Sequence, residues 1–152
     1  MAQLGRVFFV TTDKDTDFTG ALAQNAAATA NLAVPQLPSD AQCRLKNIAI
    51  ISDQQLAWEI WLWATTSFNT GITDLDALYP FGRWSFDASS GVQIAGTGPY
   101  YYYIDGLDVP YMDSAKLSQL HVMLVNRSAT SKNAGATGEI VVKFCLEPTL
   151  GW

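Results

Sequence analysis

The chain has 152 residues and a net charge of −5, and Asp, Glu, Lys and Arg make up only 15% of it, against roughly 25% in a typical soluble domain. Its nine cations are scattered, which argues against nucleic acid as a partner because phosphate binding needs clustered Lys and Arg. No apolar run approaches the ~20 residues that cross a bilayer, and the N-terminus lacks the pattern of a secretory leader, so we expect no membrane partner. The length of 152 residues is that of a single domain.

Residues 1–41 are predicted to form an extended N-terminal arm. Residues 7–10 have the composition of a short apolar strand, and the stretch that follows is dominated by Ala, Asn, Gln, Thr and Asp. Residues 21–33 contain too few large apolar side chains for an amphipathic helix, and Pro35 and Pro38 interrupt any regular element. Such an arm gains its order either across a neighbouring subunit or on its own domain.

Residues 42–152 are predicted to form a β-sandwich, because apolar side chains recur there with a period of two. Residues 73–79 are predicted to form a connector with one helical turn, which ends at Pro80. With the strand in the arm, the segments make about eight strands, which is typical of a sandwich or jelly roll. The predicted strands of this domain are 44–51, 56–64, 83–86, 92–95, 100–104, 116–127 and 138–147.

The second of these strands is apolar on both faces, so that one face is expected to line the core and the other to be covered by a loop or a partner. The two faces are Leu56, Trp58, Ile60 and Leu62 on one side, and Glu59, Trp61 and Trp63 on the other.

The last two strands alternate most strongly. They flank residues 128–137, which are rich in Ser, Thr, Gly and Ala and are predicted to form a hairpin loop. The fold class predicted from this pattern is all-β, a single jelly-roll-like sandwich with an N-terminal arm.

No catalytic constellation is evident. His121 is the only histidine, and its phase opposite to Leu120 and Val122 predicts a solvated or interfacial position with a structural role. No Gly-x-Ser-x-Gly nucleophile elbow is present. One His and two distant Cys do not make a zinc site. Cys43 and Cys145 are expected to be free thiols, because nothing directs the chain to an oxidising compartment.

Two acidic patterns resemble functional sites, but neither pattern is specific. Residues 13–17 resemble the start of a calcium loop, but Phe18 and Gln24 occupy the positions that need Gly and Glu, so a polar turn is expected. Asp105 and Asp108 are a pair that a hydrolase could use, which leaves an enzyme as a weak alternative. No catalytic residue, metal or cofactor is therefore predicted.

The aromatic residues suggest contact with other molecules. Five Trp, six Tyr and seven Phe with so few charges leave little polar cover, and large exposed apolar patches usually mark interfaces. The alternatives are a larger core, or stacking on sugar rings by Trp61, Trp63, Trp84 and residues 100–103. The candidate interface residues are Val7, Phe8, Phe9, Trp61, Trp63, Trp84, Tyr101 and Tyr103.

The strand pattern of 120–128 and 138–148, with the loop between them, resembles that of jelly-roll decoration (cement) proteins of tailed bacteriophages. The resemblance implies a non-enzymatic homotrimer that is made in the host cytoplasm and clamps the major capsid protein on the outside of the virion. A carbohydrate- or receptor-binding head domain of a phage fibre, or a lectin-like module, is the alternative.

Overall fold

The computed structural model describes residues 7–34, 42–63, 82–113, 118–135 and 139–149. In these ranges, the only helical element is a 3-10 turn at Ala88–Ser90. The strands are β1 (Phe8–Thr11), β2 (Ala27–Ala33), β3 (Gln42–Ser52), β4 (Trp58–Trp63), β5 (Gly82–Phe86), β6 (Val92–Gln93), β7 (Tyr100–Ile104), β8 (Val109–Tyr111), β9 (Gln119–Asn126) and β10 (Ile140–Thr149).

The strands form two antiparallel sheets. The first sheet has the order β1-β10-β3-β7-β6, with β8 also paired to β3, and the second has the order β2-β9-β4-β5. Without the short β6 and β8, the remaining strands give 1-10-3-7 and 2-9-4-5, which is the strand order of a jelly roll. The predicted all-β, jelly-roll-like sandwich is confirmed.

The core lies between the two sheets and follows from the period of two. Each strand turns alternate side chains inward, so the long strands contribute rows of aliphatic and aromatic residues that are removed from water. Burying one such side chain contributes about 1.5–3 kcal/mol. The fully buried members include Ile48, Ile50, Trp58, Ile60, Leu62, Tyr102, Leu120, Val122, Leu124, Val142, Phe144 and Leu146.

The predicted hairpin of the last two strands is wrong. β9 pairs with β2 and β4 in the second sheet, whereas β10 pairs with β1 and β3 in the first. A period of two tells which side chains share a face but not which strand lies alongside, and both strands have an apolar face that the core can bury. The connection between them crosses from one sheet to the other, and Lys132 within it forms an isolated β-bridge with Leu22.

The positions of two strands were not predicted. The first, β2, has few large apolar residues, and the second, β8, is very short. β2 contains four Ala in seven residues, and β8 contains only three residues. β1 and β2, which fall in the predicted arm, are edge strands of the first and second sheet respectively. The predicted connector at 73–79 lies outside the described residues.

Both cysteines are free thiols, as expected. Cys43 points into the core, and burial raises its pKa to about 11. Cys145 lies opposite Asn47, whereas Cys43 lies opposite Pro148, on the other side of a register shift at which β3 has one extra residue, Lys46.

Gly91 occupies a position where a side chain has no room. A Cβ added there would lie 2.5 Å from Cζ and 2.7 Å from the hydroxyl oxygen of Tyr102. Tyr102 is fully buried, and its hydroxyl donates a hydrogen bond of 2.8 Å to the carbonyl of Leu56.

We predict that Gly91→Ala lowers the free energy of unfolding by about 1–3 kcal/mol, because the ring of Tyr102 must move out of a packed site. The matched control is Gly20→Ala, since a Cβ at Gly20 meets nothing within 4 Å. Urea denaturation measures both variants, and equal stabilities would contradict the packing argument.

Candidate functional site

The outer face of the second sheet is buried within the single chain. Trp61 is only 4% exposed and Trp63 only 3%, and their rings stack with centroids 5.8 Å apart. Met123 and Val125 on the neighbouring strand β9 complete this second apolar cluster, against which Ala27 packs. The face of β4 that carries Trp61 and Trp63 is therefore covered, as expected, and this cover requires no partner chain.

An ion cluster lies on the same face, around the buried carboxylate of Glu59. Arg127 donates from Nε to Oε2 at 3.1 Å and from Nη2 to Oε1 at 3.0 Å. Arg83 lies 3.7 Å from the carboxylate and also sits over the ring of Trp61, whose indole N–H donates to Glu59 as well. Burial by itself raises the pKa of Glu59, but the hydrogen bonds from Arg127 and Trp61 outweigh it and lower the pKa below its usual range.

His121 is fully buried and therefore does not lie on a solvated face. Its Nε2 lies 2.8 Å from Oδ1 of Asp113 and its Nδ1 lies 2.7 Å from Oδ1 of Asn31. The hydroxyl of Tyr111 donates to the carbonyl of Gln119, and it accepts from the backbone N–H of His121 at 3.3 Å. This closed network ties β2, β8 and β9 together, which is the structural role predicted for the histidine.

The outer face of the first sheet differs from that of the second because large apolar side chains are exposed on it. Phe9 is 58% exposed, Val92 60%, Tyr103 51% and Ile51 38%. Tyr101 and Tyr103 stack on one another with their centroids 6.1 Å apart and their planes 16° apart. We call the group formed by Phe9, Ile51, Val92, Tyr101, Tyr103 and Val141 the apolar patch.

The strand register places most of the apolar patch in one row across four strands. Val92, Tyr101, Ile51 and Val141 are successive partners on β6, β7, β3 and β10. In the next row, Lys143 on β10 places its ammonium 4.3 Å from the centroid of the Phe9 ring. This charge is therefore drawn toward β1, away from the middle of the patch.

Charged side chains on β3, on β10 and before β8 neutralise one another. Asp108 accepts hydrogen bonds from Arg44 and Lys46, each 3.1 Å long, and Lys46 also lies 3.5 Å from Glu147. The hydrogen bond from Lys46 is the main cause that lowers the pKa of Asp108. A general acid of a glycoside hydrolase needs a raised pKa, so Asp108 does not have the environment of that acid.

The structure divides the predicted interface residues between the core and the outer faces. Phe9, Tyr101 and Tyr103 lie in the apolar patch, and Val7 is exposed beside it. Phe8 and Trp84 pack against the core, and Trp61 and Trp63 belong to the buried cluster. The tryptophans therefore do not share an exposed platform with the tyrosines.

Ile51 and Val92 were not predicted from the sequence to lie on the exposed face. A signal for Ile51 was present, because Ile50 and Ile51 are adjacent in a strand and must point to opposite faces.

The acidic segment 13–17 forms a polar turn, as expected. Oδ1 of Asp13 accepts from the backbone N–H of Asp15, and Oδ2 of Asp17 accepts from that of Asp13. Among the residues that the structure describes, no group of three or more His, Cys, Asp or Glu could hold a metal ion. No helix in the same ranges is long and apolar enough to span a bilayer.

No protein-family model matches the sequence, and no curated protein matches it either. Among solved structures, the chain is similar to the coat protein of Tobacco streak virus, with 9% sequence identity and a TM-score of 0.39. The similarity covers 100% of this chain and 93% of the coat protein chain. A likeness of this degree decides neither fold nor function, and the fold assignment rests on the strand order.

We predict that Glu59→Gln lowers the free energy of unfolding at pH 7 by about 2–4 kcal/mol, because Arg127 loses its charged partner in a largely buried site. The folded-state pKa of Glu59 is lowered, so its stabilisation is present above the ordinary glutamate pKa of about 4.3 and is lost as the pH falls through the folded-state value. The difference between wild type and variant should therefore shrink in acid.

Urea denaturation at neutral and acid pH measures this difference. The control is Glu147→Gln, which removes one partner of a surface ion pair and should cost less than about 1 kcal/mol. A loss of stability in Glu59→Gln that stays constant with pH would contradict the lowered folded-state pKa of Glu59.

Proposed function

We propose that this chain is a non-enzymatic structural protein of a virion, and specifically a decoration or cement subunit on the outside of a phage head. The observation that carries the proposal is the strand order 1-10-3-7 and 2-9-4-5, a jelly roll, which is an architecture of viral capsid domains as well as of lectins and cupins. The resemblance of the alternating strand pattern to decoration proteins favours the virion role among these, and the hairpin predicted between the last two strands is not part of that support.

The surface of the sandwich is consistent with a mechanical role. The outer face of the second sheet is closed by the chain's own side chains, whereas that of the first exposes the apolar patch. A protein that clamps a shell gains affinity from buried apolar area, and it stabilises the shell because it binds only the assembled form. The major capsid protein is the partner in this proposal, and three copies about a three-fold axis is the assembly that the resemblance implies.

The polar groups that could suggest catalysis are engaged in structure. His121 is enclosed by Asp113 and Asn31, and Asp108 is held by Arg44 and Lys46. These contacts support a non-enzymatic role, because a catalytic acid or base must reach the proton that it transfers.

The test is co-sedimentation of the purified protein with assembled heads of the virus that encodes it. We expect saturable binding to assembled heads, little binding to the unassembled capsid protein, and heads that resist heating better when they are decorated. Addition of excess unlabelled protein provides the control for specific sites. Absence of binding to heads, with the protein folded by circular dichroism, would overturn the proposal.

A glycan- or receptor-binding module is the second candidate, and the stacked pair of the partly exposed Tyr101 and the exposed Tyr103 favours it. Aromatic faces can stack on sugar rings, and the aromatic pair forms part of a flat sheet surface. A glycan array read by direct binding tests this role. The control is Trp84→Phe, which alters an aromatic residue packed on the core. Glycan binding that is lost in Tyr101→Ala and kept in this control would support the glycan-binding role. An array without any binding signal would exclude the glycans tested.

A further inference from the structure

We infer that the apolar patch is a contact surface between two copies of this chain, packed sheet against sheet about a two-fold axis that runs along β3. This inference does not depend on the virion role, because self-association is measured with the purified protein alone. It assigns the apolar patch to a second copy and gives a mass of two chains, so it is an alternative to the contact between the patch and the shell and to the three-fold assembly.

The size of the patch is the first argument. With aromatic side chains of ~200 Å² each, the exposed fractions of Phe9 and Tyr103 leave roughly 200 Å² of aromatic surface in water, and Ile51 and Val92 raise the apolar area to roughly 400 Å². One partner in a standard interface contributes about 800 Å², of which about 57% is apolar. The patch therefore supplies nearly the whole apolar share of one side of a stable pair.

The arrangement of the strands is the second argument. β3 lies in the sheet with β10 on one side and β7 on the other. A two-fold axis along β3 therefore brings β10 of one copy over β7 of the other. Ile51 then meets Ile51 of the second copy, and Val141 meets Tyr101 of the second copy, because these three residues share one row of the register. Apolar side chains fall on apolar side chains throughout that row.

Charge complementarity is the third argument. Lys143 on β10 lies in the same row as Tyr103 on β7, since both are partners of Ala49. Asp105 follows Tyr103 by two residues and is exposed. The same two-fold axis places Lys143 opposite Tyr103 of the second copy. Its ammonium lies over Phe9 within the single chain and turns from that ring toward Tyr103 and Asp105 of the second copy, where an aromatic face and a carboxylate both attract it.

The remaining charges do not oppose the pairing. Arg44, Lys46, Asp108 and Glu147 neutralise one another within each copy. Two identical faces would therefore approach without a block of like charge, which is the condition that an isologous contact must satisfy.

The experiment measures the mass of the full chain by size-exclusion chromatography with light scattering over a range of concentrations. We expect a mass of two chains for the wild type. Ile51→Lys should raise the dissociation constant at least about tenfold, because it sets two ammonium groups against each other at the axis. Gln24→Lys adds the same charge to an exposed loop residue off this face and should leave the constant unchanged.

A charge exchange tests the register of the pair. Lys143→Glu should weaken the pairing by bringing Glu near Asp105 of the second copy, and the double variant Lys143→Glu with Asp105→Lys should recover it. Circular dichroism and thermal unfolding confirm that each variant is folded.

Three results would each overturn the inference. They are a wild type that stays monomeric at the highest concentration, a mass of three chains, and a two-chain mass that Ile51→Lys leaves intact. A monomer that binds assembled heads, and loses that binding in Ile51→Lys, would assign the patch to the shell instead of to a second copy.

Discussion

The fold depends on the pairing of two central strands, β9 and β10, with strands that are remote in sequence. β10 lies between β1 and β3, and β9 lies between β2 and β4. Each of these strands must bury one apolar face, and the burial is complete only when the two sheets stack on each other. Apart from β4 with β5 and β6 with β7, the paired strands are remote in sequence, so neither sheet can assemble from neighbouring segments alone. The core and the strand pairing must therefore form together.

The same stacking leaves two outer faces that differ in their exposure to water. On the second sheet, Trp61 and Trp63 are buried, and the carboxylate of Glu59 between the arginines remains charged because Arg127 offsets the cost of its burial. On the first sheet, Phe9, Ile51 and Tyr103 remain in contact with water. A sandwich with one closed and one open outer face has a defined side for a partner, and the shell of the proposed virion role and the second copy of the inferred pairing are alternative occupants of that side.

Charged residues form a local network on each of the two sheets. Some of the ionic groups form small networks, around Glu59 on one sheet and around Asp108 on the other. The Asp108 network sets two carboxylates against two cations and is neutral, whereas Glu59 meets two arginines, so that its network carries one net positive charge. In a protein whose proposed work is to hold a shell together, apolar contact area supplies affinity, and the neutral Asp108 network limits repulsion on the first sheet.

The class of fold, the approximate position of eight of the described strands and the division of β4 into two apolar faces followed from the amino-acid sequence, because alternation with a period of two is a local property of the chain. The sequence also predicted that His121 is structural in character and that the acidic segment 13–17 is a polar turn. β2 escaped prediction because a strand of mostly Ala gains its burial from β9 and not from its own side chains. The sequence did not show that β9 and β10 lie in different sheets, that Trp61 and Trp63 are buried while Tyr103 is exposed, or that Asp113 meets His121. These outcomes depend on which strands become neighbours, and a pattern of alternating side chains fixes the face of a residue without fixing what covers that face.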